Sequence, residues 1–524
     1  MELSLLVTLD ATAELPLHRQ LYQQIRDAIL TGRLKPQTRL PASRQLAKTL
    51  GVSRTTVVQS YDQLICEGYL QTKVGAGTFA CSQIPDDLLL VESSLADSLL
   101  GGDSEEARFE ADCLRGDRAS SKALYQLSAY GDRLLNAPDY AGGDDCSLSF
   151  RYGLPDLSLF PAQQWRRLVN RVSATSCGWM DYGSEPMGDR GLRREVAQYI
   201  RDVRAVRCSP EQILITGGTQ QALSLIGRVL MSKGEAIAFE DPGYLSAKRI
   251  FSSLESDIVP VPVDAEGIRV NEAGGLVDVM GDRAAKPRLV YVTPSHQFPT
   301  GVLMSLSRRL ALLRWAREHG ALIVEDDYDS EFRYSGSPIP ALQGLDEEGC
   351  VLYVGTFSKV MFPGLRLGYI VLPPALVDVF RRAKWLCDRQ CSLVDQAALA
   401  EFIRGGYLAQ HVRRMRGVYD RRRQLLVESL REILPEAVVP GDASGLHVLV
   451  RLASEEREFS QMIERARAVN VGLFSAQPHY WSGVGLENAG SGRSSEELIL
   501  GFGNISETDI RVAIARIRSL LEGW

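Results

Sequence analysis

Lys359 and Arg366 lie seven residues apart in an apolar stretch punctuated by glycines, VLYVGTFSKVMFPGLRLGYIVLP at 351–373. A lone lysine is almost always a surface residue. This lysine follows an apolar strand pattern, with Ser358 before it and Arg366 after it, which is not typical of a surface. An amine held beside an anion-binding arginine can carry an aldehyde cofactor that bears a phosphate. The segment therefore predicts a site for such a cofactor.

Three other segments place polar groups at the ends of apolar strands. Residues 216–223, TGGTQQAL, follow one strand and open a helix, where free backbone N–H groups and the helix dipole favour an anion. Asp326 and Tyr328 end another strand, and a buried carboxylate there needs a cationic partner such as a protonated pyridine nitrogen. Tyr244 ends a third strand and could stack on a ring. Each feature also has an ordinary explanation, since Gly-Gly turns, capping aspartates and core tyrosines occur without ligands.

The elements that must position these residues form an alternating pattern from about residue 145 onward. Apolar β-branched runs alternate with helical stretches, which predicts an α/β domain whose doubly wound sheet binds ligands beyond the carboxyl ends of its strands. Beyond about residue 385, long basic helices and short strands predict a smaller α+β lobe. The strand candidates are 212–218, 236–241, 257–263, 288–294, 321–327, 350–356 and 366–372, with 447–452 and 497–502 in the smaller lobe.

The first 80 residues read as a separate helical unit. A first helix carries an apolar residue at every fourth position from Leu17 to Ile29, and Gly32 ends it. Ser43 and Ser53 are the expected N-caps of two further helices. Residues 69–80 then read as two short strands around a Gly-Ala-Gly turn. Helix, helix–turn–helix and hairpin in this order predict a winged helix-turn-helix domain.

This unit also has the charge that contact with DNA requires. It holds nine Lys and Arg against six Asp and Glu, whereas the whole chain carries −6. The start of the second helix of such a motif usually meets base edges, and the wing lies near the backbone or minor groove. A helix–turn–helix can also serve protein interaction, which is the alternative here. The candidate DNA-contacting residues are Arg44, Arg54, Thr55, Thr56, Lys73 and Gly75.

Composition sets the remaining limits. We expect three parts: a DNA-binding domain at 1–80, an acidic linker at 81–144 and an effector domain at 145–524. Nine cysteines without a CxxC pair or Cys/His cluster predict neither a disulfide framework nor a metal site, and fit a reducing cytoplasm. The start lacks the basic region of a signal peptide, and charges interrupt every apolar stretch, which predicts no membrane span.

The motifs taken together resemble known families. Residues from about 145 to the end resemble the fold-type I pyridoxal phosphate aminotransferases, through EDPGY (240–244), TPSHQFPTG (293–301), EDDY (325–328) and the lysine segment. Residues 1–80 resemble the GntR group of winged-helix regulators. The combination on one chain is similar to the MocR/GabR family of pyridoxal phosphate-dependent transcription regulators. The resemblance implies a large lobe with a mixed, mostly parallel sheet.

The resemblance also implies roles for individual residues. Lys359 would bond covalently to the aldehyde of pyridoxal 5'-phosphate, Asp326 would keep the pyridine nitrogen protonated, Tyr328 would bond the ring hydroxyl and Tyr244 would stack on the ring. Tyr182 would reach the site from a second subunit, which implies a homodimer. The residues implied to hold the phosphate are Gly218, Thr219, Gln220, Ser358 and Arg366.

Two departures from the aminotransferase pattern bear on activity. The asparagine that usually supports the ring hydroxyl is replaced by Phe298, and His296 or Gln297 could substitute for it. The late strand that usually carries an arginine for the substrate carboxylate has Ile499 instead, with Arg493 close by. We therefore expect at most partial transamination, and an effector that is an amine, an atypical amino acid or a carboxylate held by another arginine.

Three functions remain open at this point. The first is a cytoplasmic transcription regulator in which a small amino acid or amine binds the cofactor and alters the grip of a dimer on a double-stranded DNA operator. The second is a working aminotransferase with an appended autoregulatory domain. The third is a regulator that senses pyridoxal phosphate itself. The two departures favour the first and third.

Overall fold

The computed structural model describes most of the 524 residues, and the chain divides into two compact units, 1–125 and 126–524. No helix within the described ranges combines the length and apolar character needed to cross a bilayer. The described ranges are 7–10, 13, 15–73, 76–82, 127–136, 145–175, 178–183, 185–270, 276, 286–336, 339–452, 456–481 and 496–521.

The first unit is a winged helix. The antiparallel strands β1 and β2 pair Leu70 with Ala80 and Lys73 with Gly77 to form the wing. The core between the helices contains Leu21, Ile25, Val57 and Leu64. Its elements are α1 (Leu17–Leu30), α2 (Ser43–Leu50), α3 (Arg54–Cys66), β1 (Leu70–Lys73) and β2 (Gly77–Ala80).

Local signals in the sequence account for most of these helix boundaries. The Ser53 side chain accepts a hydrogen bond from the backbone of Thr56 and caps α3, as expected. Gly51 ends α2 in the left-handed conformation at φ 67°. The expected cap at Ser43 is wrong, because α2 already begins at this residue, and Ala42 occupies the N-cap position without a side-chain bond.

An eight-stranded sheet organises the second unit. Its order is β4-β11-β10-β9-β8-β5-β6-β7. The strands from β10 to β6 run parallel, and β11 pairs antiparallel with both β10 and β4. The fold class is therefore confirmed as α/β with a mixed, mostly parallel sheet. The strands are β4 (Ile213–Thr216), β5 (Ala236–Asp241), β6 (Asp257–Asp264), β7 (Gly267–Ile268), β8 (Leu289–Val292), β9 (Leu322–Asp327), β10 (Val351–Thr356) and β11 (Gly368–Val371).

Helices cover both faces of this sheet, which explains the continuous apolar character of its strands. Phe239 of β5 packs in one buried cluster with Phe251 of α8. Ala238, its neighbour in sequence, belongs to a second cluster with Leu312 and Trp315 of α9. The helices of this unit that precede the long helix leading to the smaller lobe are α4 (Ala129–Asn136), α5 (Ala162–Thr175), α6 (Arg190–Arg204), α7 (Thr219–Leu230), α8 (Leu245–Ser253), α9 (Leu306–His319), α10 (Leu342–Leu345), α11 (Val377–Cys387) and α12 (Leu393–Arg404).

A smaller lobe follows the long helix α13 (Tyr407–Ile433), as the change of pattern near residue 385 predicts. Three strands form an antiparallel sheet in the order β12-β15-β14. A short strand near the start of the unit, β3 (Leu148–Ser149), pairs with β13 and joins this lobe to the beginning of the domain. The remaining elements are β12 (His447–Leu452), α14 (Glu456–Ala468), β13 (Val471–Gly472), β14 (Phe474–Ser475), β15 (Glu496–Gly501) and α15 (Glu507–Leu521).

The end of the segment expected to be a linker contains helix α4, which is part of the second unit. The Arg133 guanidinium donates to the backbone oxygen of Ser253 at 3.1 and 3.2 Å and pairs with Glu255 at 3.0 Å. Residues 83–126 and 137–144 lie outside the described residues. The leucines at 88–100, which could form a helix by their spacing, fall in that range.

Candidate cofactor site

A cavity of about 410 Å³ lies beyond the carboxyl ends of the sheet strands, where the fold class predicts a ligand. Its volume falls in the range of roughly 300–1,000 Å³ found for small-molecule sites. Thr293, Asp326 and Thr356, which follow or end three neighbouring strands, all line it. Lys359, in the turn after β10, lines it as well.

The Lys359 amine contacts the backbone of a segment near the start of the second unit. Its Nζ donates to the backbone oxygen of Gly153 at 2.6 Å. Burial lowers the pKa of this amine below its ordinary value, and Arg366 acts in the same direction, whereas Asp329 and Asp326 oppose the shift. A lowered pKa increases the fraction of neutral, nucleophilic amine. An amine with these properties can attack an aldehyde.

Asp326, near the end of β9, has one oxygen held and the other without a partner. The Tyr291 hydroxyl donates to Asp326 Oδ2 at 2.7 Å. Asp326 Oδ1 is buried and has no hydrogen-bond partner among the described residues. Burial is the main reason that the pKa of this carboxyl rises to about 7. A buried carboxyl oxygen without a donor is what a protonated ring nitrogen would satisfy.

The adjacent carboxylate, Asp327, is engaged elsewhere. Its Oδ2 accepts from Arg204 at 2.8 Å and from Tyr353 at 2.7 Å. Burial alone would raise its pKa, but the Arg204 charge and the hydrogen bonds hold that pKa below its ordinary value. Successive residues of a strand point to opposite faces, so the same strand end supplies one carboxylate to the cavity and another to a structural ion pair.

Tyr328 lines the cavity, while His296 lies behind it. The Tyr328 hydroxyl is 2.9 Å from His296 Nδ1 and donates to the His296 backbone oxygen at 2.9 Å. His296 Nδ1 is also 3.1 Å from both oxygens of Asp329. His296 is 2% exposed and is not part of the cavity lining. It can therefore orient Tyr328, but the imidazoles that line the cavity are those of His447 and His479.

The imidazoles of His296 and His447 form a compact group with the Asp329 carboxylate. One nitrogen or carboxylate oxygen from each of His296, His447 and Asp329 lies within 4.8 Å of the others, a spacing that a metal ion could use. Hydrogen bonds already account for the group, since His296 Nδ1 contacts Asp329 and Tyr328, and His447 Nε2 is 3.2 Å from the Pro299 oxygen. We assign no metal to it.

The turn between β4 and α7 forms one side of the cavity. Gly218 is the N-cap of α7 at φ 95°, a conformation that favours glycine. A Cβ added there would lie 3.4 Å from the Arg366 guanidinium, so arginine and turn are neighbours. Thr219, Gln220 and Ser358 line the same cavity. A helix N-terminus with an adjacent arginine is a suitable site for a phosphate.

A buried lysine supports this turn from behind. Gln221 Oε1 accepts from the backbone N–H of Gly217 at 2.7 Å and from Lys384 Nζ at 2.9 Å. Lys384 is fully buried and pairs with Asp388 at 2.7 Å. The chain Lys384, Gln221, Gly217 thus fixes the backbone on which an anion would rest.

An aromatic cluster closes another side of the cavity. The Phe298 ring lies 5.6 Å from Tyr244, 5.8 Å from Tyr152 and 6.1 Å from Tyr328 by ring centroids. Ile499 of β15 is fully buried in the same cluster. The two positions at which the sequence departs from the aminotransferase pattern therefore meet in one apolar cluster. Arg493 lies outside the described residues.

Tyr182 does not line the cavity of its own chain. It is 70% exposed, and Arg389 lies over its ring at 4.3 Å from the centroid. It is therefore available at the surface, which a role in a neighbouring subunit requires.

The candidate DNA-contacting residues are placed on the winged helix as follows. Arg54, Thr55 and Thr56 form the first turn of α3, and Arg44 lies in the first turn of α2. Lys73 ends β1, where its Nζ donates to Gln37 at 2.9 Å and lies over the Phe79 ring. Gly75 lies outside the described residues.

Several lining residues have no motif around them that sequence reasoning could use. Tyr291 sits inside an apolar strand, Gly153 contributes only a backbone oxygen, and His447 and His479 come from the smaller lobe. Their position follows from the packing of the two lobes and not from local spacing.

Family comparisons agree with this architecture. Residues 17–80 match the bacterial regulatory proteins of the gntR family, and residues 156–480 match aminotransferase class I and II. Among solved structures, a kynurenine aminotransferase from Pyrococcus horikoshii is 28% identical with a TM-score of 0.63 and covers 78% of this chain and 98% of its own. A multiple substrate aminotransferase from Thermococcus profundus is 29% identical, with a TM-score of 0.64 and the same coverage.

Relatives of similar length are regulators by name. The probable rhizopine catabolism regulatory protein MocR of Rhizobium meliloti is 36% identical over 98% of this chain and 95% of its own. The pyridoxine biosynthesis transcriptional regulator PdxR of Corynebacterium glutamicum is 31% identical over 95% of this chain and 94% of its own.

The fold and the comparisons define a regulator in which a gntR-type winged helix precedes an aminotransferase-like domain. The chain belongs to the MocR/GabR family of transcription regulators. It is a transcription regulator, and the alternative of an aminotransferase with an appended domain is the less supported one.

Proposed function

We propose that the cavity binds pyridoxal 5'-phosphate and that the protein uses it to sense a small amine or amino acid and adjust its hold on DNA. The observation that carries this proposal is the arrangement around one cavity of an amine, an unpartnered carboxyl oxygen and an anion-binding turn. These are supplied by Lys359, Asp326 and the Gly218–Arg366 pair.

The residues present fit this cofactor. Asp326 Oδ1 would accept from the protonated ring nitrogen and thereby gain the partner that it lacks. Tyr328, oriented by His296, would hydrogen-bond the ring hydroxyl, and Tyr244 would pack on the ring. The cofactor supplies an aldehyde carbon that bonds reversibly to primary amines, and among the described residues Lys359 is the lysine that lines the cavity.

The phosphate would rest on the turn that opens α7. Free N–H groups of Thr219 and Gln220, the Ser358 hydroxyl and the Arg366 guanidinium together offer donors and positive charge. This end of the cavity anchors the cofactor, so that the aldehyde can exchange partners without loss of the ring.

The site is completed by a second copy of the chain in this proposal. Tyr182 is exposed in one protomer and would contact the phosphate in its partner. A homodimer also suits a winged-helix regulator, since paired recognition helices read paired half-sites.

In the winged helix, Arg54 would read a base edge from the first turn of α3, with Thr55 and Thr56 beside it. Arg44 and Lys73 would contact phosphates. An effector that binds the cavity changes affinity for DNA only if it binds the DNA-competent state with a different free energy from the other state.

A second candidate signal is the cofactor itself. The relative from Corynebacterium glutamicum is named for pyridoxine biosynthesis, and its alignment with this chain covers 94% of its length. In that case, occupancy by the cofactor is the signal and no amine is needed.

One experiment separates these functions. The purified full-length protein, with and without pyridoxal phosphate, is titrated onto its own upstream DNA in a mobility-shift assay, then challenged with amines and amino acids. A change on cofactor addition alone supports cofactor sensing, and a change only on amine addition supports effector sensing. Steady conversion of amino acids to keto acids over many turnovers would favour the enzyme, and no cofactor absorbance would defeat the proposal.

A further inference from the structure

An apolar cluster around Phe298 forms part of the cavity wall. It consists of Phe298, Leu449, Ala476 and Ile499, with Tyr152, Tyr244, Tyr328 and Tyr480 packed against it. We call this set the Phe298 wall. Four of its members, Tyr152, Tyr244, Phe298 and Tyr328, line the cavity.

The wall has no cation among its described members, and burial disfavours the charged form of the imidazoles next to it. His447 and His479 lie 5.2 and 4.9 Å from the Phe298 ring by centroids. Burial lowers the pKa of His447 well below its ordinary value and that of His479 to about 4. Neither imidazole therefore carries the positive charge with which a carboxylate would pair near neutral pH.

One nitrogen of each imidazole already lies within hydrogen-bond distance of a protein oxygen. His479 Nε2 is 3.0 Å from the Tyr152 hydroxyl, and His447 Nε2 is 3.2 Å from the Pro299 oxygen. A carboxylate placed against this wall would lose its hydration and gain no charged partner from the wall itself, because the cavity arginines Arg151 and Arg249 are not among its members. An apolar or aromatic group in the same place would gain by burial.

We propose that the effector is a primary amine with an uncharged hydrocarbon or aromatic body, lacking a carboxylate on the amine-bearing carbon, and that this body packs against the Phe298 wall. The proposal rests on the proposed function, because the amine must reach the cofactor bound at Lys359. The proposed effectors are therefore amines without a carboxylate on the amine-bearing carbon, which is a narrower class than amines and amino acids in general.

Matched pairs that differ only in the carboxylate test this directly. Holoprotein reconstituted with pyridoxal phosphate is titrated with 2-phenylethylamine and with L-phenylalanine, then with 3-methylbutylamine and L-leucine, and the cofactor absorbance is followed. We expect each amine to bind at least about tenfold tighter than its amino acid. Equal or tighter binding of the amino acid, through Arg151 or Arg249 in the same cavity, would overturn the proposal.

The test distinguishes failure of the inference from failure of the proposed function. If borohydride fixes the cofactor to Lys359 but no amine changes the spectrum, the ligand class is wrong and the cofactor site stands. If the protein takes up no cofactor, the proposed function itself fails.

Variants at the wall supply a second test. Phe298→Asn places a polar group at the cavity surface and should reduce the preference for the amine over the amino acid by at least about threefold. Phe298→Leu keeps the wall apolar and should weaken both ligands without changing their order. Ile499→Arg should raise affinity for L-phenylalanine relative to 2-phenylethylamine where the variant folds, as judged by circular dichroism. An unchanged preference in Phe298→Asn would contradict the proposal whether or not Ile499→Arg folds.

Discussion

The Tyr291 hydroxyl donates to Asp326 Oδ2 at 2.7 Å and leaves Asp326 Oδ1 without a partner among the described residues. The tyrosine lies on β8 and the carboxylate on β9, and these strands are parallel neighbours in the centre of the sheet. One hydrogen bond between adjacent strands therefore fixes the carboxyl in a position that is costly in the free protein and useful when a ring nitrogen occupies the cavity.

The first prediction concerns this cost. Burial raises the pKa of Asp326 from its ordinary 3.8 to about 7, so the folded state binds more protons than the unfolded state between about pH 4 and 7. Stability from this group therefore falls as pH rises through that window, and the full penalty is present above about pH 7. Asp326→Asn should stabilise the cofactor-free protein more at pH 8 than at pH 5, by about 2 kcal/mol.

Urea unfolding of the cofactor-free proteins at the two pH values, followed by circular dichroism, measures this difference. Saturating cofactor should reverse the order at pH 8, because only the carboxylate pairs with the protonated ring. The same gain at both pH values would contradict the assigned titration.

The second prediction concerns the support of the phosphate turn. Lys384→Met keeps the buried stem but removes the ammonium that holds Gln221. A hydrogen bond contributes about 0.5–1.5 kcal/mol, so cofactor affinity should fall by about threefold to tenfold. Absorbance titration of the apoprotein measures it. Lys233→Met is the matched control, since Lys233 is 79% exposed and pairs with Glu255 at the surface. Equal losses of cofactor affinity in the two variants would contradict the role of Lys384 in supporting the turn.

The third prediction concerns DNA. Arg54→Ala should weaken binding to the upstream DNA by about tenfold or more, because a bidentate contact to a base contributes roughly 1–3 kcal/mol. Arg33→Ala, at an exposed position between α1 and α2, is the control. Mobility shifts at two salt concentrations separate loss of a base contact from loss of a phosphate contact. If Arg33→Ala weakens binding as much as Arg54→Ala, the recognition helix is misassigned.

The fourth prediction tests the shared site. If Tyr182 serves the partner subunit, each site combines Lys359 of one chain with Tyr182 of the other. Tyr182→Phe and Lys359→Ala then damage different contributions to the same site. Each variant alone should bind cofactor poorly or without a covalent bond. Mixed dimers should regain one intact site in two, visible as recovered absorbance after subunit exchange. No recovery in mixed dimers whose exchange is verified by mass would contradict a role for Tyr182 in the partner subunit's site.

Much of this fold could be predicted from the sequence, because strands covered on both faces read as apolar runs. The spacing of Lys359 and Arg366 also identified the core of the candidate site. The strand pattern places both Asp326 and Asp327 at the end of β9, and it is the family resemblance that selects Asp326. The structure gives the physical reason, because Arg204 from a distant helix pairs with Asp327. Proximity to Phe298 suggested His296 as a ring contact, whereas the fold places Tyr328 between His296 and the cavity. Tyr291 and His447 carried no local signal, because strand pairing and lobe packing bring them to the site.

Borohydride reduction of the pyridoxal phosphate-loaded protein, followed by peptide mass spectrometry, tests the central claim most directly. The account predicts a single pyridoxyl-modified lysine, Lys359, and no modification in Lys359→Ala. A label on another lysine, such as the buried Lys248, or no label on protein that has taken up the cofactor, would contradict it.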